Sequence, residues 1–170
     1  MEVRRATLTD VNNVAALAIQ VWLDTYAPLG VRSTMSDYVF SELSPERFQF
    51  FVHSPTHALL VAAEKAHIVG LAVVSRNSTC PVDTTPRPEL DKLYVQPALQ
   101  RRGVGRQLLR AAEAECVTWS LPALWLAVWE HNQRAIDFYE GCGYAAIGAA
   151  EIHLGPEKHR NLVYQKSLAS

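Results

Sequence analysis

The run Gln100-Arg101-Arg102-Gly103-Val104-Gly105-Arg106 carries the residue types that hold an anion. It follows a β-branched and aromatic segment, Leu93-Tyr94-Val95, and opens an apolar-periodic one with Leu108, Leu109 and Ala112. That order reads as strand, tight glycine-bearing loop, helix. A helix N-terminus leaves backbone N–H groups without intrahelical partners, and its dipole favours negative charge. Two glycines remove the Cβ that would hold a ligand away from that backbone. Arg101, Arg102 and Arg106 add positive charge. The chemistry this suits is the grip of a pyrophosphate. Just upstream, Glu89 and Asp91 alternate with Leu90 and Lys92, which sets both carboxylates on one face of the same strand, where either could take a proton.

Three phosphate ligands compete for the loop, beside the plainer reading of an ordinary αβ turn. A P-loop requires Lys followed by Ser or Thr after its glycines, and neither is here. A dinucleotide fingerprint requires a third Gly or Ala where Leu108 stands, with a long βαβ run behind it. A coenzyme A site uses Q/R-x-x-G-x-G/A after a strand that ends in Val-x-Pro, and Val95-Gln96-Pro97 supplies that ending.

A second motif separates these readings. Residues 124–144 run Leu-Trp-Leu-Ala-Val-Trp-Glu-His-Asn-Gln-Arg-Ala-Ile-Asp-Phe-Tyr-Glu-Gly-Cys-Gly-Tyr. The first six are strand-like; Asn132 can cap a helix carrying Ala135, Ile136 and Tyr139, and Gly141 or Gly143 stops it. With both motifs in this order the chain resembles the GCN5-related N-acetyltransferases (GNAT), which pair the Q/R-x-x-G-x-G/A loop with a later N-x-x-A-x-x-F-Y-x-x-x-G-F/Y helix. The resemblance covers essentially the whole chain. Trp-Leu-Ala-Val-Trp-Glu-x-Asn and the tail Ile147-Gly148, Leu154-Gly155 and Leu162-Val163-Tyr164-x-Lys166 are similar to bacterial spermine/spermidine acetyltransferases.

The resemblance implies acetyl transfer from acetyl-CoA to a primary amine of a small, polyamine-like molecule, by direct attack in a ternary complex and with no metal. It implies that Gln100, Arg101, Arg102, Gly103, Val104, Gly105 and Arg106 hold the pyrophosphate. The pantetheine arm would lie along Leu93, Tyr94 and Val95, and the Val95 N–H is a candidate donor to the thioester oxygen. Tyr139 is implied as the general acid, since a phenol with a pKa near 10 stays protonated at neutral pH and can donate to a departing thiolate. Its plainer reading is a buried helix aromatic. Asn132 is implied to bind the pantetheine amide, although a helix cap explains it equally. An acidic residue near Glu89 takes the amine proton in the family, so Glu89 is the first choice for the base and Asp91 the second. Each could equally be an exposed sheet charge. Trp22, Thr25, Tyr26 and Tyr38 are the expected walls of the acceptor pocket. Asp24, Asp37, Glu42 and Glu151 are available for a cationic acceptor, but Lys158-His159-Arg160-Asn161 is more basic than a polyamine site suggests. Two other readings stay open: a protein N-terminal or lysine acetyltransferase, and a non-catalytic acyl-CoA sensor. Many relatives are homodimers, although nothing in the sequence marks an interface.

These groups need a frame. The expected order is a strand Glu2–Thr7, a helix from Thr9 or Asp10 to about Tyr26, and a less legible stretch 31–53 in which Ser44-Pro45-Glu46 starts a helix. A hairpin of Ala58–Glu64 and His67–Ser75 follows, then a mobile Pro-rich loop 76–88 and a strand Glu89–Val95. A helix Gly103–Trp119 would carry Arg102, Arg106 and Arg110 as one stripe. Strand Ala123–Trp129, helix 132–141 and strands near 144–153 and 161–167 complete it. The fold class is α+β: one domain over residues 1–170, with a central mixed seven-stranded sheet and about four flanking helices, and the resemblance implies a splay between strands four and five.

Composition sets outer bounds. Sixteen Lys and Arg against seventeen Asp and Glu give a net charge of −1, which offers no general attraction to nucleic acid or to an anionic membrane. No apolar run reaches bilayer length, and Met-Glu-Val-Arg-Arg lacks a signal h-region. Cys80, Cys116 and Cys142 are few, odd in number and far apart, which suggests reduced thiols and a cytoplasmic setting. His53 and His57 stand four apart, but Pro55 between them argues against a helical metal pair.

Overall fold

Apolar periodicity builds most of the frame. In a computed structural model describing residues 1–168, the elements are β1 (Glu2–Arg5), α1 (Val11–Tyr26), α2 (Ser33–Glu42), α3 (Pro45–His53), β2 (His57–Glu64), β3 (His67–Thr79), β4 (Pro86–Val95), α4 (Val104–Thr118), β5 (Ala123–Trp129), α5 (Gln133–Glu140), β6 (Ala145–Leu154) and β7 (Glu157–Ser167). Seven strands form one sheet in the order β1-β2-β3-β4-β5-β7-β6. The parallel β4–β5 pair, in register at Glu89 and Trp125, interrupts otherwise antiparallel pairing of β1 with β2, β5 with β7 and β6 with β7. This is the α+β architecture with a mixed sheet that the resemblance implies, and the parallel pair matches its splay.

The chain divides into two compact units. The first comprises Met1–Val74 and Lys92–Ala112. Here α1 buries Val11, Val14, Leu17, Ala18 and Val21 as its periodicity requires, with Ala15 and Trp22 beside them. Ser44 caps α3 by accepting from the Arg47 N–H at 3.2 Å, with Pro45 at the first helical position. Lys65, at φ 55°, turns β2 into β3. Gly70 on β3 lies against the start of α4, for a Cβ there would stand 2.8 Å from Leu108 Cδ1 and 3.1 Å from the Tyr94 carbonyl oxygen.

The second unit comprises Ser75–Asp91 and the chain from Glu113 onward. β5 pairs with β7 along its whole length, from Ala123↔Ser167 to Trp129↔Asn161. Cys80, Trp125 and Val163 form a buried cluster, with Ala127, Ile147 and Ala150 packed on it. The Trp125 indole N–H donates to the Arg87 carbonyl at 3.2 Å.

Three boundaries differ from expectation. β1 ends at Arg5, because Asp10 gathers Thr7 and the next residues into a 3₁₀ turn, with the Thr7 N–H on its carboxylate at 2.8 Å. The 76–88 stretch is mostly strand: β3 runs to Thr79 and β4 starts at Pro86, leaving a turn closed by Thr84 N–H to Cys80 carbonyl at 2.8 Å. Pro86 opens β4, a position where its missing N–H is tolerated. β7 begins at Glu157, since Gly155 (φ 56°) makes the β6–β7 connection a tight hairpin. Helix α2 occupies part of the stretch that was hardest to read.

Candidate active site

The glycine-bearing loop runs directly into a helix, as its residues suggest. Arg101 and Gly103 take positive φ, 64° and 85°, with Arg102 between them on the ordinary side, and α4 begins at Val104. Alternating backbone handedness ahead of a helix N-terminus is how successive N–H groups come to line a concavity. A Cβ at Gly103 would meet no heavy atom of the protein within 4 Å, so packing does not explain this glycine. Gln100 steadies the entry, with its Nε2 donating to the Val95 carbonyl at 3.1 Å. The Gln96 N–H donates to the Val69 carbonyl at 2.9 Å and anchors the strand end to β3. Val104 is buried and Gly105 partly so, whereas Arg101, Arg102 and Arg106 are exposed. The expected arginine stripe is shorter than its spacing implies: Arg102 precedes the helix, and only Arg106 and Arg110 stand on α4.

Leu93 and Tyr94 are half-buried at the end of β4, and Val95 is buried. Upstream on the same strand, alternation sorts the side chains by face. Pro88, Leu90 and Lys92 are buried; Glu89 is half-buried and Asp91 exposed. The Lys92 ammonium lies 6.0 Å from the Phe51 ring centroid. Glu89 is held by the Ser78 hydroxyl of β3, which donates to its Oε2. Sequence reading missed Ser78; strand alternation alone could not show which residue of β3 faces Glu89.

The early helices bring three of the four expected pocket residues together. Trp22 stacks on Tyr38 (centroids 4.9 Å, 24°) and tilts against Tyr26 (5.0 Å, 45°). Trp22 is buried, whereas Tyr26 and Tyr38 are half-buried. Thr25 turns its hydroxyl to the Val21 carbonyl at 2.8 Å. Asp24 and Asp37 are exposed on α1 and α2. Two other carboxylates are occupied: Glu42 faces Arg47 at 3.6 Å, and Glu151 faces Lys158 at 2.9 Å and His153 at 3.2 Å.

Asn132 caps α5 by accepting from the Ala135 N–H at 3.2 Å. Tyr139, half-buried in the last turn of α5, packs edge-on to Phe138 (5.2 Å) and Tyr144 (5.9 Å). Tyr144 was not singled out from sequence, although it is the aromatic that closes the helix motif. It is buried, and its hydroxyl donates to Glu113 Oε1 at 3.2 Å. Burial, with Glu113 beside it, pushes this phenol far above its usual range. Lys166 donates to the same carboxylate oxygen at 2.8 Å.

With this geometry in place, comparison with known proteins gives the class. Residues 17–144 match the acetyltransferase (GNAT) family, and the chain belongs to it. It is an enzyme of the N-acetyltransferase class. An uncharacterised N-acetyltransferase of Mycobacterium bovis is 29% identical over 161 residues, spanning 95% of this chain and 99% of the relative. The PaiA N-acetyltransferase of Thermoplasma acidophilum, solved with coenzyme A, shares the fold at a TM-score of 0.76 and 18% identity, over 98% of each chain. YncA of Salmonella typhimurium, solved with acetyl-CoA, does so at 0.69 and 18%, over 100% of this chain and 95% of its own.

Proposed function

We propose that the enzyme moves the acetyl group of acetyl-CoA to a primary amine of a small polyamine-like molecule, by direct attack within a ternary complex. The observation that carries this reading is the left-handed pair Arg101 and Gly103 directly before α4. The backbone at Gly103 faces open space, which fits a diphosphate drawn close to main-chain N–H groups. Solved relatives of the same fold that hold coenzyme A or acetyl-CoA support the choice of donor.

Bound acetyl-CoA would supply an activated thioester carbonyl. The N–H groups of residues 101–106 hold the diphosphate, and Arg102 and Arg106 add charge around it. Leu93, Tyr94 and Val95 offer main chain to the pantetheine arm, with the Val95 N–H polarising the carbonyl oxygen. Asn132 uses its oxygen as a helix cap, which leaves its Nδ2 to donate to a pantetheine carbonyl. Glu89, fixed by Ser78, accepts the amine proton through water, and Asp91 is the alternative. Tyr139 donates its phenolic proton to the sulfur as the carbon–sulfur bond breaks.

The acceptor reading rests on the Trp22–Tyr26–Tyr38 cluster with Asp24 and Asp37 on the same helices. Aromatic faces and carboxylates suit an alkylammonium. Three free thiols among the described residues fit a reducing, cytoplasmic setting. The test is thiol release from acetyl-CoA across polyamines, amino acids, aminoglycosides and peptide amines. Spermidine or spermine should give the highest kcat/KM. A faster peptide amine would move the acceptor to protein. Tight coenzyme A binding with no amine raising thiol release would leave only a binding module.

A further inference from the structure

Around the end of α5, several contacts converge on one side chain. The carbonyl of Tyr139 accepts from the N–H groups of Cys142 (3.0 Å) and Tyr144 (3.1 Å), with Gly143 at φ 87° making the reversal between them. That reversal brings the Tyr144 ring edge-to-face against the Tyr139 ring, at 5.9 Å and 64°. The Tyr144 hydroxyl and the Lys166 ammonium share one oxygen of Glu113, and the ammonium lies 5.6 Å from the Tyr144 ring centroid. Next to Tyr139 in sequence, Glu140 accepts the Tyr164 hydroxyl of β7 at 2.9 Å.

We infer that Tyr144 is a positioning residue for Tyr139, its ring held at a fixed angle by the carboxylate that Glu113 of α4 shares with Lys166 of β7. Volume alone does not call for this arrangement. A phenylalanine would fill the same buried space without a polar atom, whereas a buried phenol needs a partner. Here the partner is a carboxylate whose charge is balanced by an ammonium, so three elements fix one ring. An edge-to-face pair transmits that constraint, because rotation of one ring displaces the other. The Tyr139 hydroxyl, at the tip of its ring, is the atom most displaced by a small tilt.

This inference rests on Tyr139 as the proton donor, and the experiment separates the two. Tyr144→Phe would be made in the native enzyme and in Tyr139→Phe, with kcat, KM for acetyl-CoA and melting temperature measured for each. In the native background Y144F should lower kcat about tenfold, the scale of a catalytic group slightly misplaced, with KM within about twofold. In the Y139F background it should lower kcat no further. Glu113→Gln, which keeps an oxygen for the phenol, should retain kcat better than Glu113→Ala. An equal kcat loss from Y144F in both backgrounds, or none in either, would overturn the positioning role while leaving the donor role standing. Unchanged kcat in Y139F alone would overturn both. Should Y144F fail to fold, Lys166→Met gives the same cycle with a smaller expected loss and the same overturning outcomes.

Discussion

In the proposed mechanism Tyr139 gives up a proton and the main chain at Gly103 meets the diphosphate. Tyr139→Phe keeps the ring and its contacts with Phe138 and Tyr144 but removes the proton. It should lower kcat about a hundredfold while leaving the affinity for acetyl-CoA within about twofold, as steady-state kinetics beside direct binding would show. A loss of binding with unchanged kcat would contradict the acid role. Gly103→Val forces a β-branched residue to φ 85° and puts methyl groups where the diphosphate would approach. Coenzyme A affinity should fall at least about tenfold by calorimetry, since backbone strain alone is about 1–3 kcal/mol before any clash with the ligand. Wild-type affinity in that variant would refute the cradle. The glycine loop before α4 and the helix α5 around Tyr139 were legible in sequence because their signals are local, a few positions around each. The partners of Tyr144 were not. Glu113 lies 31 residues from Tyr144 and 53 from Lys166, and no periodicity spans such gaps.

Among the elements, α4 is seated on β3 and the start of α1 on β1 by local contacts. A Cβ at Gly70 would crowd the Tyr94 carbonyl oxygen at 3.1 Å, which as backbone yields less readily than the Leu108 methyl at 2.8 Å. Gly70→Ala should destabilise the protein by about 1–3 kcal/mol in chemical denaturation. An unchanged midpoint would show that α4 can shift freely on β3. The start of α1 is tied to β1 by Arg4, whose two terminal nitrogens reach Asp10 at 2.7 and 3.0 Å. That guanidinium, with the Thr7 N–H, holds the Asp10 carboxyl well below the usual carboxylate range. A carboxyl depressed in the fold adds stability that is complete above the unfolded pKa, near 4, and is lost as pH falls through the folded value. Asp10→Asn should therefore lie about 2 kcal/mol below wild type at pH 7, with the gap narrower at pH 3. Equal gaps at both pH values would contradict it. Strongly amphipathic elements such as α1 and α4 were readable from their periods. The 76–88 stretch was not, because three prolines and a run of Ser and Thr look like a loop until neighbouring strands supply the pairing. Helix α2 buries only Met35 and Val39, too few to print a clear period.

For the whole molecule, the sheet follows chain order from β1 to β5, carries the parallel β4–β5 pair, and then inserts β7 between β5 and β6. Two motifs in the right order implied a mixed sheet splayed between strands four and five, whereas the acceptor was not legible, since the aromatics proposed to meet it, Trp22, Tyr26 and Tyr38, lie on separate helices. Among the described residues no helix is long and apolar enough to cross a membrane. The thiols report on the integrity of the packing. Cys80 and Cys116 are buried, and Cys116 is pushed up to about 12 by burial and by Glu113 and Glu115, whereas Cys142 is partly open. A thiol reagent should therefore titrate one cysteine quickly in the native protein and three after denaturation; three fast thiols at the outset would disprove this packing. In the proposed enzyme, main-chain amides between Arg101 and Arg106 grip the diphosphate of the acetyl donor. Calorimetric titration with coenzyme A and, separately, with pantetheine, which lacks the diphosphate, tests it most directly. Coenzyme A should bind at micromolar concentration and pantetheine at least about a hundredfold more weakly. Equal affinity for the two, or no heat with coenzyme A at millimolar concentration, would rule out that grip.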